Sequence, residues 1–174
     1  MNSSAENPLD RVLVLEMVRV TEAAAVAASK LIGRGDEKAA DAAAVEAMRK
    51  AFDTLYMDGT VVIGEGERDE APMLFIGEKV GGAPGKGPKI DIALDPLEGT
   101  TITAKAGPNA LAVLAAAAEG CLLNAPDVYM DKLAVGPGYP DGIIDLAKTP
   151  TENVEAVAKA KGVAPADIIV CVLD

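Results

Sequence analysis

Histidine is missing from all 174 residues, and with it go Ser-His-Asp and Cys-His catalysis and the nitrogen donors of an ordinary zinc centre. Cysteine is nearly as scarce. Cys121 and Cys171 lie inside the apolar runs EGCLLN and IIVCVLD, where a free thiol is expected to be a small buried hydrophobe. They make no disulfide framework and predict a reducing compartment. Aromatics make up 3% of the chain and tryptophan is absent, so the core must be built from Ala, Val, Leu, Ile and Met. Positive charge is the other shortage: 16 Lys and Arg stand against 27 Asp and Glu, a net charge of −11. Such a surface repels a phosphate backbone and offers no basic patch with interleaved aromatics, so nucleic acid is not an expected partner. No uncharged apolar run reaches the roughly 18 residues of a membrane span, and the start MNSSAENPLDR has no basic segment followed by an apolar one. Neither membrane insertion nor export is predicted, and a cytoplasmic location is expected.

What is present is an aliphatic, foldable chain. Half of its residues are hydrophobic, the mean hydropathy is +0.23, and a domain of this length buries roughly 70% of its unfolded surface. Asn7-Pro8 with Asp10 signals a helix start, and the apolar spacing predicts one helix continuing to Ile32 and stopping at Gly33. The loop GRGDEKAA leads to a second helix predicted from about Asp41 to Leu55, with Val45, Met48, Phe52 and Leu55 on one face. The β-branched run in GTVVIGEGE reads as a buried strand ending in an acidic turn. APMLFIGEKVG reads as a second strand, GGAPGKGP (81–88) as a loop, and KIDIALD as a further strand. A hairpin is predicted over 110–124, broken at Glu119-Gly120, and a loop over 136–142. A helix follows over 150–162 with Thr151 as cap and Gly162 as stop, and ADIIVCVLD reads as a terminal strand. A strand that apolar is usually covered on both faces, so the chain is expected to end in mid-fold.

Five carboxylates fall at predicted element ends: Asp41 at the second helix, Glu65 and Glu67 in GEGE, and Asp95 and Glu98 in DIALDPLEGTT. A plain surface turn has use for the Asp, the Pro and the Gly, but not for a second carboxylate three residues on, followed by Gly99, Thr100 and Thr101. If these strand ends lie side by side the carboxylates cannot stay bare. Like charges about 4 Å apart repel by roughly 4 kcal/mol at an effective dielectric near 20, so the cluster takes up protons or binds cations. Oxygen donors favour Mg²⁺ or Mn²⁺. Gly99 would let the backbone approach an anion, with amides of Gly99 to Thr101 and the Thr100 hydroxyl as donors. A phosphate bridging two cations is the arrangement that hydrolyses a phosphomonoester. Each residue also has a structural reading: Asp41 as a helix cap, GEGE and Lys38 as solvated charges, Tyr129 in NAPDVYM as packing. GKG at 85–87 lacks the rest of a phosphate-loop pattern and is set aside.

The strings RVTEAAAVAASKLIGRGDEKAADAAAVEAMR, DGTVVIGEGERDEAPMLFIGEKVG, IDIALDPLEGTT and NALAVLAAAAEGCLLNAPDVYMDKLAVGPG together resemble the class II (GlpX-type) fructose-1,6-bisphosphatases, from about Glu16 onward. The resemblance implies a layered α/β sandwich of the lithium-sensitive, metal-dependent sugar phosphatase type, with helices packed on a mixed sheet. It implies removal of the 1-phosphate of fructose 1,6-bisphosphate in gluconeogenesis; sedoheptulose 1,7-bisphosphate or an inositol phosphate is the alternative substrate. By motif, Asp41, Glu65, Asp95 and Glu98 would ligate Mn²⁺ or Mg²⁺. Glu98, Gly99 and Thr100 would contact phosphate, Thr100 would also position the attacking water, and Tyr129 would contact substrate. Where some members read GRGDKN this chain reads GRGDEK, so the loop lysine that the resemblance implies as a catalytic assistant becomes Glu37, and Lys38, displaced by one, is the catalytic candidate in its place. Such enzymes are roughly twice as long, a size for two domains' worth of chain. Residues 1–174 are therefore expected to be the N-terminal, metal-binding portion, inactive in isolation; an exposed edge on a cut sheet would favour self-association, without fixing an oligomeric state.

Overall fold

The computed structural model describes residues 11–64, 74–123 and 130–172. The chain forms two compact units, Met1–Asp127 and Val128–Asp174. The first contains α1 (Arg11–Ser29), α2 (Glu37–Phe52), β1 (Asp58–Ile63), β2 (Lys79–Val80), β3 (Lys89–Glu98), α3 (Thr100–Ala104) and β4 (Leu111–Ala118). Its sheet runs in the order β2-β1-β3-β4, with β1 and β3 parallel and the outer pairs antiparallel. Helices on a mixed sheet are the expected fold class. Among the described residues, no helix is long and apolar enough to cross a membrane.

The core follows from helical spacing. Leu13, Met17, Val20, Ala24 and Ala28 form the buried stripe of α1, and Ala40, Ala44, Val45, Met48 and Phe52 that of α2. Both stripes pack in one cluster with Val61, Ile90, Ile92, Leu94 and Leu97. Phe52 and Met48 are fully buried, each stabilising by roughly 1.5–3 kcal/mol through apolar burial. Arg49 on α2 bonds the carboxylate of Glu78 through Nε at 2.8 Å and a terminal nitrogen at 3.2 Å, tying α2 to the turn before β2.

Several sequence expectations are corrected. The predicted start of α1 lies outside the described residues; its end is Ser29, short of Ile32. The second helix begins four residues before Asp41, because Asp36 rather than Asp41 is the cap: its side chain accepts from the Ala39 amide at 2.9 Å. Glu37, Lys38 and two alanines are good helix formers and complete the first turn. The helix ends at Phe52, not Leu55. The strand expected in APMLFIGEKVG shrinks, within the described residues, to Lys79–Val80. Residues 110–124 hold no hairpin in their described part, since the alanine-rich run is one strand paired to β3. Its end is fixed where the Gly120 amide donates to the buried Asp91 carboxylate at 2.7 Å. The loops at 81–88 and 136–142 are as expected.

In the second unit α4 (Pro150–Lys161) ends at Gly162, as predicted, but Thr149 caps it in place of Thr151. Pro150 takes the first helical position, where a missing N–H costs nothing. A short 3-10 turn (Pro165–Asp167) follows. The expected terminal strand does not form in residues 168–172, where Ile169 is 97% exposed. Cys121 and Cys171 are exposed too, against the expectation of burial. Apolar composition suits a strand, but a strand exists only where a neighbour pairs with it.

Candidate functional site

Strand β3 runs straight through the pair Asp95-Pro96 instead of stopping before it. What changes there is the register. Asp95 pairs with Val113 and Glu98 with Leu111, so three steps along β3 meet two along β4, which is a β-bulge. Pro96, fully buried and lacking an N–H, sits at this irregularity, where a ladder tolerates proline. In an unbroken strand residues three apart point to opposite faces. The extra residue moves Leu97 into the core beside Leu94 and turns Glu98 onto the same face as Asp95.

The consequence is a crowded carboxyl pair. Asp95 is half-buried, and its pKa is pushed up to about 7, first by burial and then by the Glu98 carboxyl within hydrogen-bonding reach. The Glu98 charge and the more weakly felt charge of Asp41 act in the same direction. The Leu97 amide, donating to Asp95 Oδ1 at 3.0 Å, opposes them without prevailing. Asp41 lies on the buried stripe of α2, 9% exposed. A carboxylate there is not a solvated surface charge.

After Glu98 the chain turns at Gly99, whose φ of 97° belongs to the left-handed region. A Cβ at Gly99 would stand 3.1 Å from Ile102 Cδ1. Thr100 opens α3 and is half-buried. Strand β1, parallel to β3, reaches the same edge of the sheet, with Ile63 paired to Ala93 just before Asp95. Glu65, Glu67 and Tyr129 lie outside the described residues. The structure thus brings together Asp95 and Glu98, with Asp41 in electrostatic range. Lys38 is exposed on the first turn of α2 and is not among the groups whose charge acts on Asp95.

The donors are all oxygen, which fits a hard divalent cation, and Asp95 is raised first by burial and then by its Glu98 neighbour. Among the described residues, however, no three Asp, Glu, His or Cys side chains gather closely enough to hold a metal ion. Sequence reasoning missed two features: the bulge, signalled only by a proline inside a strand-like run, and the attachment of the α1–α2 loop to α3. The Gly33 amide donates to the Thr103 carbonyl and the Gly35 amide to the Ala104 carbonyl, each at 2.9 Å.

The family model described as bacterial fructose-1,6-bisphosphatase, glpX-encoded, matches residues 11–174. The chain belongs to this family. It is 55% identical over 163 residues to the fructose-1,6-bisphosphatase 1 class 2 of Escherichia coli (strain K12), an alignment covering 94% of this chain and 48% of that protein. It is 52% identical over 166 residues to the D-fructose 1,6-bisphosphatase class 2/sedoheptulose 1,7-bisphosphatase of Prochlorococcus marinus (strain NATL1A), covering 95% of this chain and 49% of that one. The chain spans about half the length of the curated relatives it matches. Within the family match fall the bulge, the carboxyl pair and the Gly99 turn.

Proposed function

We propose that this chain forms the metal-binding portion of a phosphatase that hydrolyses the 1-phosphate of fructose 1,6-bisphosphate. The observation that carries the reading is the Asp95–Glu98 pair turned onto one face by the bulge, with the charge of Asp41 acting on it. In this reading Asp41, Asp95 and Glu98, together with Glu65, hold Mg²⁺ or Mn²⁺. A divalent cation in that place supplies Lewis-acid polarisation of the phosphoryl group and offsets its charge. Without one, a chain of net charge −11 repels a bisphosphate.

The protein's own groups do the rest. Gly99 leaves room for backbone close to the ester, and its left-handed conformation directs the following amides. Thr100 offers its hydroxyl to a phosphate oxygen and orients the attacking water; Glu98 would both help hold a cation and contact the phosphate. Tyr129 contacts the sugar, and Lys38 is the candidate lysine that assists catalysis. A soluble sugar bisphosphate fits a cytoplasmic location. The double name of the Prochlorococcus relative favours sedoheptulose 1,7-bisphosphate as a second substrate.

The test uses a full-length family member carrying this sequence, assayed with both sugar bisphosphates and Mn²⁺, before and after exhaustive chelation. Chelation should abolish phosphate release. Asp95→Asn should lower turnover by ~100-fold or more, since even partners behind a metal ligand are worth up to about that factor. The same substitution should raise the melting temperature of the metal-free protein, because it removes one of two crowded charges. Full turnover after chelation rejects the reading.

A further inference from the structure

The loop Gly33–Asp36 touches neither Asp95 nor Glu98 by any described bond, yet it joins the elements that carry the proposed site. Its two amides, on Gly33 and Gly35, cap the carbonyls of Thr103 and Ala104 at the far end of α3. Its last residue, Asp36, starts α2 by accepting from the Ala39 amide. Thus one short segment is bonded to the end of the helix that begins at Thr100, and also sets the start of the helix that carries Asp41 five residues later. Both glycines have left-handed backbone, φ 71° and 73°, so the bonding geometry depends on residues that tolerate it. Thr103 and Ala104 are buried, and Ala106, whose φ is 58°, lies against Gly33, where an added Cβ would be 3.2 Å from its own. The loop is held on both sides.

From this juxtaposition we infer that Gly33, Gly35 and Asp36 are positioning residues: they set the place of Asp41 relative to the Asp95–Glu98 pair, and through it the affinity for a divalent cation. The inference rests on the metal-binding reading above. Gly35 is the informative position, because nothing lies within 4 Å of where its Cβ would be. Substitution there strains the backbone without a clash. Alanine opposes the left-handed conformation, whereas asparagine tolerates it.

The experiment measures Mn²⁺ binding by electron paramagnetic resonance of the free ion, together with the metal-free melting temperature, for the chain, Gly35→Ala and Gly35→Asn. Gly35→Ala should raise the Mn²⁺ dissociation constant roughly five- to thirtyfold, the size of the left-handed penalty expressed as affinity. Gly35→Asn should restore it to within about twofold. Asp36→Ala against Asp36→Ser repeats the comparison at the helix start, where serine keeps the cap and alanine loses it. If the alanine variants melt lower but bind Mn²⁺ as tightly as the parent, the loop is merely structural and the inference is overturned alone. If the parent chain binds no Mn²⁺, the metal-binding reading and this inference fall together.

Discussion

At Ala106 the chain accepts a backbone conformation that its side chain opposes. The Gly107 amide donates to the Ile102 carbonyl at 2.8 Å and the Ala106 amide to Thr103 at 3.2 Å, the two bonds that close a helix end through a left-handed residue. Glycine usually fills that position; here alanine does, with φ 58°. Ala106 is exposed, so its methyl adds little packing to offset the strain. Ala106→Gly should therefore stabilise the first unit by about 1 kcal/mol, a rise of roughly 3 °C in melting temperature measurable by calorimetry. The same scale shows how much of the site was legible. Asp95, Glu98, Gly99 and Thr100 stood out because a carboxylate, a glycine and hydroxyls follow a strand at a spacing no plain turn requires. Asp41 was singled out with them, but its depth was not readable: a helix start and a buried second turn differ only in which preceding residue caps.

Among the elements, α4 shows how a local motif fixes a boundary. The Glu152 amide donates to Thr149 Oγ1 at 3.2 Å, and the Thr149 amide donates back to Glu152 Oε2 at 2.8 Å, a complete capping box. Asn153 adds a brace, accepting from the Asp145 amide at 2.8 Å and donating to the carbonyls of Asp145 and Thr149. The hydrogen bonds from Thr149 hold the Glu152 carboxyl below its ordinary value of 4.5. A folded-state pKa below the unfolded one contributes stability that is present above the unfolded value and is lost as pH falls through the folded value. The helical signal of α4, followed by circular dichroism, should thus weaken as pH is lowered through and below 4.5, and Glu152→Gln should flatten that dependence. Thr149→Ala should cost the helix about 1 kcal/mol at neutral pH. Sequence reasoning found this helix and its Gly162 stop but placed the cap at Thr151, since two threonines flank Pro150 and only the bonded geometry separates them.

Over the whole molecule, the open edge of the sheet is its most consequential surface. Strand β4 pairs with β3 on one side and, among the described residues, with no strand on the other. It reads LAVLAAAA, with no charge or proline to protect it. Beside it, Val14, Met17, Val18 and Thr21 of α1 line a groove with Leu114 and Ala116, and Val12, Leu15 and Val26 are exposed on the same helix. Concentration-dependent self-association is the expected behaviour in sedimentation velocity. Ala115→Lys, at an exposed position opposite Ala93, should suppress it. The sequence by itself determined the buried face of α2, the oxygen-only donor chemistry and the family, because side-chain periodicity, composition and motif are local properties of the chain. Tertiary structure alone decided that Asp95 and Glu98 share a face, that Asp41 is buried within reach of their field, and that the glycine loop is bonded to α3. Each of these depends on register between segments distant in the chain, and one inserted residue in β3 reverses the direction of every side chain after it.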